Sequence, residues 1–308
     1  MVYNGDRVFM KILREIAAEE GMILTAVSYD WMGKIEYRGK SGFFWGYQLP
    51  GNGAASHLIA KDKTGVYELL TAANVPAVPH FLFITPEEYD YLGVKDGFSR
   101  MFALLKTYGS LVVKPNEGTG GELVARVKTE GELERAVLRV LSRYRTAALS
   151  PYLEIEEEYR AVVEGGALRL AFSKKRPTVT GDGVSPLSLL AEKAFGKIPA
   201  GCETDLARVP EKGEKVLLCW RHNLGLGAYG ERVIDKKTLD VLEKFALSAA
   251  EAIGIDFASV DVVKVDGKLQ VLEINSGVMT ERFASESQEN YRLVKEIYRR
   301  ALLRYFEK

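Results

Sequence analysis

Three oxygen-bearing side chains in the C-terminal part of the sequence have the types and the spacing of a metal site. Glu273 and Asn275 are two residues apart in an apolar segment, so in a strand both side chains point to one face. Asp261 lies in the preceding apolar segment, and Asp266 and Gly267 between the segments predict a hairpin. Two acids and an amide offer the hard oxygen ligands that Mg²⁺ prefers.

The register of this hairpin decides whether the acids meet. A two-residue turn that pairs residue 265 with residue 268 places Asp261 opposite Leu272, on the wrong side of the sheet. A three-residue loop with Gly267 in the left-handed conformation, or a bulge, places Asp261 opposite Glu273. Two carboxylates would then lie about 5 Å apart and repel each other unless a cation or a proton intervenes. The sequence leaves both registers open, and also a solvated hairpin with incidental acids.

A lysine followed by a glycine-rich loop is the second candidate site. Val112 and Val113 predict a strand that ends at Lys114, and residues 115–121 (PNEGTGG) follow it. One cation and several unobstructed backbone N–H groups suit a polyphosphate. The loop differs from a P-loop because the lysine precedes the glycines and no GK[ST] follows. A flexible hairpin is the alternative interpretation.

The segment 150–160, SPYLEIEEEYR, is the third candidate. A strand that gives way to a proline-containing connector leaves backbone groups at Tyr152 and Leu153 unpaired, and an adenine edge would complete them. The acids at 154, 156, 157 and 158 are also typical of a solvated surface. Lys174 and Lys175 allow two interpretations as well, a solvated strand end or an attraction for an acidic substrate.

Composition excludes several classes of protein. The chain has 308 residues with 42 basic and 42 acidic side chains, and this zero net charge argues against partners held by charge, such as nucleic acid or an anionic membrane surface. Its length favours two or three domains. Cys202 and Cys219 form neither a CxxC pair nor a zinc motif. No apolar run approaches the ~18 residues of a membrane span, so we expect a cytoplasmic protein.

The hydrophobic pattern predicts an α+β fold in three pieces, 1–60, 61–149 and 150–308. The first is a short α/β unit with a helix over 9–16, a strand over 22–28 and an aromatic strand near 43–47. The second has helices over 63–73 and 129–145, with strands over 80–84, 110–114 and 122–127. The third has two hairpins, 157–164 with 167–174 and 257–265 with 269–274, and helices over 239–253 and 286–306.

In this order the motifs resemble those of the ATP-grasp superfamily of carboxylate–amine ligases. The likeness runs from about His57 to Phe283 and is strongest to the glutathione synthetase, cyanophycin synthetase and ribosomal-protein glutamate ligase branch, and extends to D-alanine:D-alanine ligase. It implies an ATP-grasp fold with ATP between two α+β lobes. Residues 1–60 would be a short N-terminal domain, 61–149 a central lid and 150–308 the subdomain with the metal site.

The resemblance implies a role for each motif position. The residues that match nucleotide-binding positions are Lys63 and Lys114 near the α- and β-phosphates, the mobile loop Glu117, Gly118, Thr119, Gly120 and Gly121, the adenine linker Ser150, Tyr152 and Leu153, and Glu158 at the ribose. Asp261, Glu273 and Asn275 match the Mg²⁺ ligands. Arg160, Arg176, Arg221 and Asn223 match positions that face the γ-phosphate and the acyl acceptor.

The implied activity is ATP-dependent amide formation through an acyl phosphate, with ATP and two Mg²⁺ ions, or Mn²⁺ in their place. The implied substrates are amino acids or short peptides, with no nucleic acid or membrane partner, and a homodimer is consistent with the family. The sequence departs from the family pattern at two places. The part before Lys63 is short for the N-terminal domain, so a partner subunit could complete the substrate surface. Ser259 stands where the D-alanine ligase pattern has an arginine. Arg221 is the candidate to replace that arginine's charge. A kinase-like enzyme that stops at a phosphorylated product and a non-catalytic ATP-binding regulatory subunit are the alternatives.

Overall fold

A computed structural model describes residues 7–85, 88, 93, 97–118 and 120–307. The chain begins with helix α1 (Val8–Glu20), followed by an antiparallel sheet in the order β1 (Ile23–Val27), β2 (Met32–Tyr37) and β3 (Lys40–Trp45). Helix α1 ends where Gly21 adopts a φ of 69°, a left-handed conformation that glycine adopts without strain. The predicted opening helix and both strands are therefore confirmed.

The second sheet has the order β4 (Phe81–Ile84), β7 (Thr146–Pro151), β5 (Leu111–Pro115) and β6 (Ala125–Val127), all antiparallel. Helices α4 (Phe98–Tyr108) and α5 (Glu130–Leu141) share one apolar core with it. Thr129 and Glu132 form the capping box that starts α5. The strand predicted over 122–127 is shorter than expected, because residues 120–123 form turns.

Helices α2 (Ala54–Lys61) and α3 (Lys63–Ala72) precede the second sheet in the sequence but pack elsewhere. Val66 and Leu70 of α3 belong to the apolar core beneath a third sheet, whose strands lie between residues 157 and 275. The boundary between residues 60 and 61 stays a prediction, but this packing puts α3 with the C-terminal lobe.

The third sheet has five antiparallel strands in the order β12, β9, β8, β13, β14. They are β8 (Glu157–Glu164), β9 (Ala167–Lys175), β12 (Tyr229–Arg232), β13 (Phe257–Val265) and β14 (Lys268–Asn275). Helix α7 (Lys236–Ala252) packs on one face, which is apolar along its length. The opposite face is apolar at one end, where Val162, Phe172 and Phe257 lie, and carries charged side chains at the other.

Two parts of the C-terminal region differ from the prediction. A segment without predicted structure contains β10 (Thr178–Thr180), α6 (Leu187–Phe195) and β11 (Lys215–Leu217). The predicted closing helix over 286–306 is confirmed as α9 (Gln288–Glu307), and a short helix that was not predicted, α8 (Glu281–Glu286), precedes it; Ser287 between the two has extended dihedral angles, φ −158° and ψ 160°. None of the helices in the described ranges is both long and apolar enough to cross a membrane.

Candidate nucleotide and metal site

A bulge in the hairpin of β13 and β14 brings the two candidate metal acids together. Asp266 and Gly267 form a two-residue turn with φ of 48° and 71°, and Val265 pairs with Lys268. The register then shifts between residues 261 and 262, so Leu272 is the extra residue and Asp261 lies directly opposite Glu273. Of the alternatives left open by the sequence, the structure therefore has the short turn corrected by a bulge.

Asp261 is only 1% exposed and lies between two cations. The Arg160 guanidinium donates from Nε to Oδ1 and from Nη2 to Oδ2, both at 2.8 Å. The Lys174 ammonium donates to the same Oδ2 at 2.7 Å. Burial alone would raise the pKa of the Asp261 carboxyl, but Arg160 and Lys174 hold it well below its usual range.

Glu158 is also buried, and Lys174 links it to Asp261. Lys174 Nζ donates to Glu158 Oε1 at 2.6 Å, and Nδ1 of His222 lies 3.6 Å from Glu158 Oε2. Burial raises the pKa of the Glu158 carboxyl despite the opposing effect of Lys174. Burial lowers the pKa of His222 to about 3, with Arg176 and Lys174 contributing, so this imidazole is neutral at physiological pH.

Glu273 is half-buried, and its carboxylate is within electrostatic range of both candidate nucleotide lysines. Asn275 Nδ2 donates to Glu273 Oε1 at 3.2 Å, which leaves Oε2 and the Asn275 amide oxygen without a donor among the described residues. No group of three or more His, Cys, Asp and Glu side chains in the described part could hold a metal ion. A divalent cation would therefore rest on two acids and one amide, and this donor set suits Mg²⁺, which keeps its other positions for water and phosphate oxygens.

The two lysines approach the same site from α3 and β5. Lys63 Nζ donates to the carbonyl oxygens of Gly118 at 2.7 Å and Asn116 at 3.1 Å, and burial lowers its pKa. Lys114 is 8% exposed, and its ammonium has no acceptor within hydrogen-bonding distance among the described residues. Burial lowers the pKa of Lys114 to about 8, although the nearby Glu273 carboxylate opposes the shift.

The glycine-rich loop contacts the C-terminal lobe. Asn223 Nδ2 donates to the carbonyl oxygen of Gly120 at 3.1 Å. Gly121 has a φ of +79°, and a Cβ there would lie 2.9 Å from that same amide nitrogen. A Cβ at Gly118 would lie 2.7 Å from a side-chain atom of Pro115, so glycine is required at both positions. Glu117 is exposed, and Thr119 lies outside the described residues.

The predicted adenine linker is partly paired with the second sheet. Ser150 is buried in β7, and the Tyr152 N–H donates to the Ser110 carbonyl at 3.0 Å. The expectation that the Tyr152 N–H is unpaired is therefore wrong, because the chain stays next to Ser110 for one residue beyond the strand. No described acceptor binds the Leu153 N–H, and the Leu153 side chain packs against the apolar cluster of Val78, Val263 and Val265.

The remaining arginines lie on the segment between β9 and β12. Arg176 lines a cleft of about 410 Å³ together with Glu158, Lys174 and His222. Arg221 instead forms an ion pair with Glu203 of the same segment. The structure thus brings Arg160 and Arg176 to the acids, whereas Arg221 contacts a neighbour that the sequence motifs did not indicate.

Sequence reasoning missed two further residues at this site. Lys174, considered as a solvated strand end or a substrate-attracting residue, is buried between Glu158 and Asp261. Its position two residues beyond Phe172, on the strand paired with β8, was a usable signal. Trp220 lies against the Tyr152 ring, with 5.7 Å between ring centroids. Because Trp220 comes from a segment without a recognisable pattern, the sequence carried no comparable signal for it.

Comparison with known proteins identifies the fold. Residues 207–297 match the model of the RimK-like ATP-grasp domain, a range that includes Arg221, Asn223 and the three candidate metal ligands. Comparison with curated proteins gives no significant match. The predicted resemblance to the ATP-grasp superfamily and the α+β class are confirmed.

Solved structures share this fold at low sequence identity. A bifunctional glutathione synthetase from Pasteurella multocida has a TM-score of 0.57 and 15% identity, over 94% of this chain and 44% of that protein. The D-alanine–D-alanine ligase from Bacillus anthracis has a TM-score of 0.56 and 17% identity, over 83% of this chain and 72% of that protein. The same ligase complexed with ATP has a TM-score of 0.54 and 16% identity, over 83% of this chain and 70% of that protein. The present chain therefore spans less than half the length of the first of these proteins.

Proposed function

Because the chain has the ATP-grasp fold and its residues 207–297 match the RimK-like ATP-grasp domain, we propose that it is an ATP-dependent carboxylate–amine ligase. One observation carries the proposal: Lys63 Nζ donates to the carbonyl oxygens of Asn116 and Gly118, in the loop that begins directly after Lys114, and Asn223 Nδ2 donates to the Gly120 carbonyl of the same loop. These bonds, together with the effect of the Glu273 carboxylate on the pKa of both lysines, support a single site that includes the candidate phosphate-binding cations and the candidate metal acids.

Such a site suits activation of a carboxylate by phosphorylation. A carboxylate is a poor electrophile, but transfer of the γ-phosphoryl group of ATP turns it into an acyl phosphate, from which an amine displaces phosphate. The first step brings several anions together, so catalysis depends on positioning and on neutralising charge. A buried site with several cations provides both.

Each part of the site has a role in this proposal. Lys63 and Lys114 contact the α- and β-phosphates of ATP. The main chain of 150–153 binds the adenine, and Glu158 binds the ribose hydroxyls. Arg160, Arg176, Arg221 and Asn223 face the γ-phosphate and the acyl acceptor. Asp261, Glu273 and Asn275 would hold two Mg²⁺ ions, or Mn²⁺, which supply electrostatic stabilisation of the transferred phosphoryl group.

The glycine-rich loop is the element that excludes water. An acyl phosphate hydrolyses readily, so the site must close before it forms. The bond from Asn223 to the Gly120 carbonyl connects this loop to the segment between β9 and β12, and in this proposal the same contact holds the loop closed. Residues Glu117 and Thr119 of the loop are placed over the phosphates in this proposal.

The proposed substrates are amino acids or short peptides, taken by a cytoplasmic enzyme that acts as a monomer or a homodimer. A carboxylate kinase on the same fold would release ADP without needing an amine. A non-catalytic ATP-binding subunit would bind ATP and release no ADP. The cleft of about 410 Å³ beside Arg176 is lined by acidic and basic side chains, which suits a small charged substrate.

A screen of amino-acid pairs for release of ADP and phosphate in the presence of Mg²⁺ tests the proposal. We expect at least one pair to give release that requires both partners, and mass spectrometry to detect the amide product. Release with the acid alone would favour the kinase, and ATP binding without release from any pair would favour the regulatory subunit. Glu273→Gln should abolish the release, whereas Glu251→Gln, at the exposed end of α7, should leave it unchanged.

A further inference from the structure

Lys174 is a buried cation shared by two carboxylates of the site. Its Nζ lies 2.6 Å from Glu158 Oε1 and 2.7 Å from Asp261 Oδ2. The next residue, Lys175, is half-exposed, and the closest carboxylate oxygens to its ammonium are 3.7 and 3.8 Å away. Two adjacent lysines of β9 therefore have different environments, and only the first is part of the buried network.

Asp261 has little remaining capacity to bind a metal ion in this arrangement. A carboxylate offers about four acceptor positions. Arg160 uses one on each oxygen, and Lys174 uses a second on Oδ2, so one position on Oδ1 is left. A divalent cation that approached this position would also be repelled by two positive charges that are already in contact with the carboxylate.

A nucleotide changes this balance because its phosphates bring several negative charges to the same place. With those phosphate charges present, the positive charges of Arg160, Lys174 and the incoming divalent cation no longer exceed the negative charges at the site. We propose that Lys174 is a positioning residue that, together with Arg160, neutralises Asp261 in the free protein, so that a divalent cation binds here only together with the nucleotide. This inference rests on the proposed function and deepens it.

Water proton relaxation, which reports protein-bound Mn²⁺, tests the inference on the full chain. Mn²⁺ is titrated alone and in the presence of a non-hydrolysable ATP analogue, for wild type and for Lys174→Met, with Lys175→Met as the matched control. We expect wild type to bind free Mn²⁺ at least about tenfold more weakly than it binds Mn²⁺ with the analogue. Removal of the Lys174 charge should strengthen binding of free Mn²⁺ by about tenfold or more, and the control should not change it.

A third variant, Lys174→Arg, keeps the charge and should bind free Mn²⁺ as weakly as wild type. The inference is overturned if wild type binds Mn²⁺ equally well with and without the analogue, a result that needs no variant to fold. It is also overturned if Lys174→Met, shown by circular dichroism to be folded, behaves like Lys175→Met. A wild type that binds neither the analogue nor Mn²⁺ would overturn the proposed function as well.

Discussion

Replacing Lys114 with methionine should stabilise the free protein while it weakens nucleotide binding. The Lys114 side chain is largely buried, and no acceptor among the described residues binds its ammonium. Its pKa is lowered from the ordinary 10.5 to about 8, chiefly by burial. At about 1.4 kcal/mol per pH unit, the folded state disfavours the charged form by about 3 kcal/mol. An uncharged side chain of similar length avoids this cost.

The sign of the pH dependence follows from the lowered pKa. Between pH 8 and pH 10.5 the unfolded chain keeps the Lys114 proton and the folded protein releases it, so wild-type stability rises with pH in this window. The variant lacks this contribution. Its advantage in the free energy of unfolding should therefore be about 3 kcal/mol at pH 7 and fall to about 1 kcal/mol at pH 9.5.

Urea denaturation of both proteins at the two pH values measures this difference, and calorimetry with ATP and Mg²⁺ measures the affinity. Loss of a charged contact to phosphate should weaken ATP binding by about tenfold or more. Lys106→Met, at the exposed end of α4, serves as the control and should change the free energy of unfolding by less than about 1 kcal/mol. A Lys114 variant that is less stable than wild type at pH 7, by an amount independent of pH, would refute the reasoning.

Three further changes test the site. Glu273→Gln should lower the rate of ADP release by about a hundredfold or more while cooperative thermal unfolding is retained, because it removes one of the two acids proposed to hold the metal. Asn223→Ala removes the bond to Gly120, so limited proteolysis of the glycine-rich loop should become faster and amine-independent ATP hydrolysis should increase. Arg160→Met leaves Asp261 buried with one cation fewer and should lower the free energy of unfolding, measured in urea, by roughly 3 kcal/mol; an unchanged midpoint would contradict the assigned ion pair.

Local patterns in the sequence predicted helices α1, α3, α5, α7 and α9 and most of the longer strands, whereas helices α2, α4, α6 and α8 and strands β2, β10, β11 and β12 were not predicted. The apolar spacing of Phe9, Ile12 and Ile16 gave α1, and the capping box of Thr129 and Glu132 gave the start of α5. These features depend on residues within a few positions of one another. The short helix α8 was not predictable in this way, because its six residues are too few to show a periodic apolar pattern.

The relative position of the site residues was harder to predict. Spacing placed Glu273 and Asn275 on one face, but whether Asp261 joined them depended on a bulge that no residue type announces. The partners of Lys174 depended on contacts with other strands of the third sheet, and the partner of Arg221 depended on the course of the segment between β9 and β12. The alternation of side chains along a strand shows to which face a lysine points. It does not show whether a carboxylate on a neighbouring strand forms an ion pair with that lysine.

The distribution of charge explains why the site lies where it does. On one face of the third sheet, strands β8 and β9 carry the apolar side chains of Val162 and Phe172. Two residues further along each strand lie the charged side chains of Arg160 and Lys174, so the same paired backbone holds the charged end of this face and the apolar core. Rigid backbone of this kind keeps buried charges in place although each is costly to bury. Asp261 balances two of the cations, whereas the Lys114 ammonium has no described acceptor. In the proposed function the phosphates of ATP would supply the acceptor that the Lys114 ammonium lacks among the described residues, and the loss of ATP affinity on removal of this charge is therefore the direct test of its role.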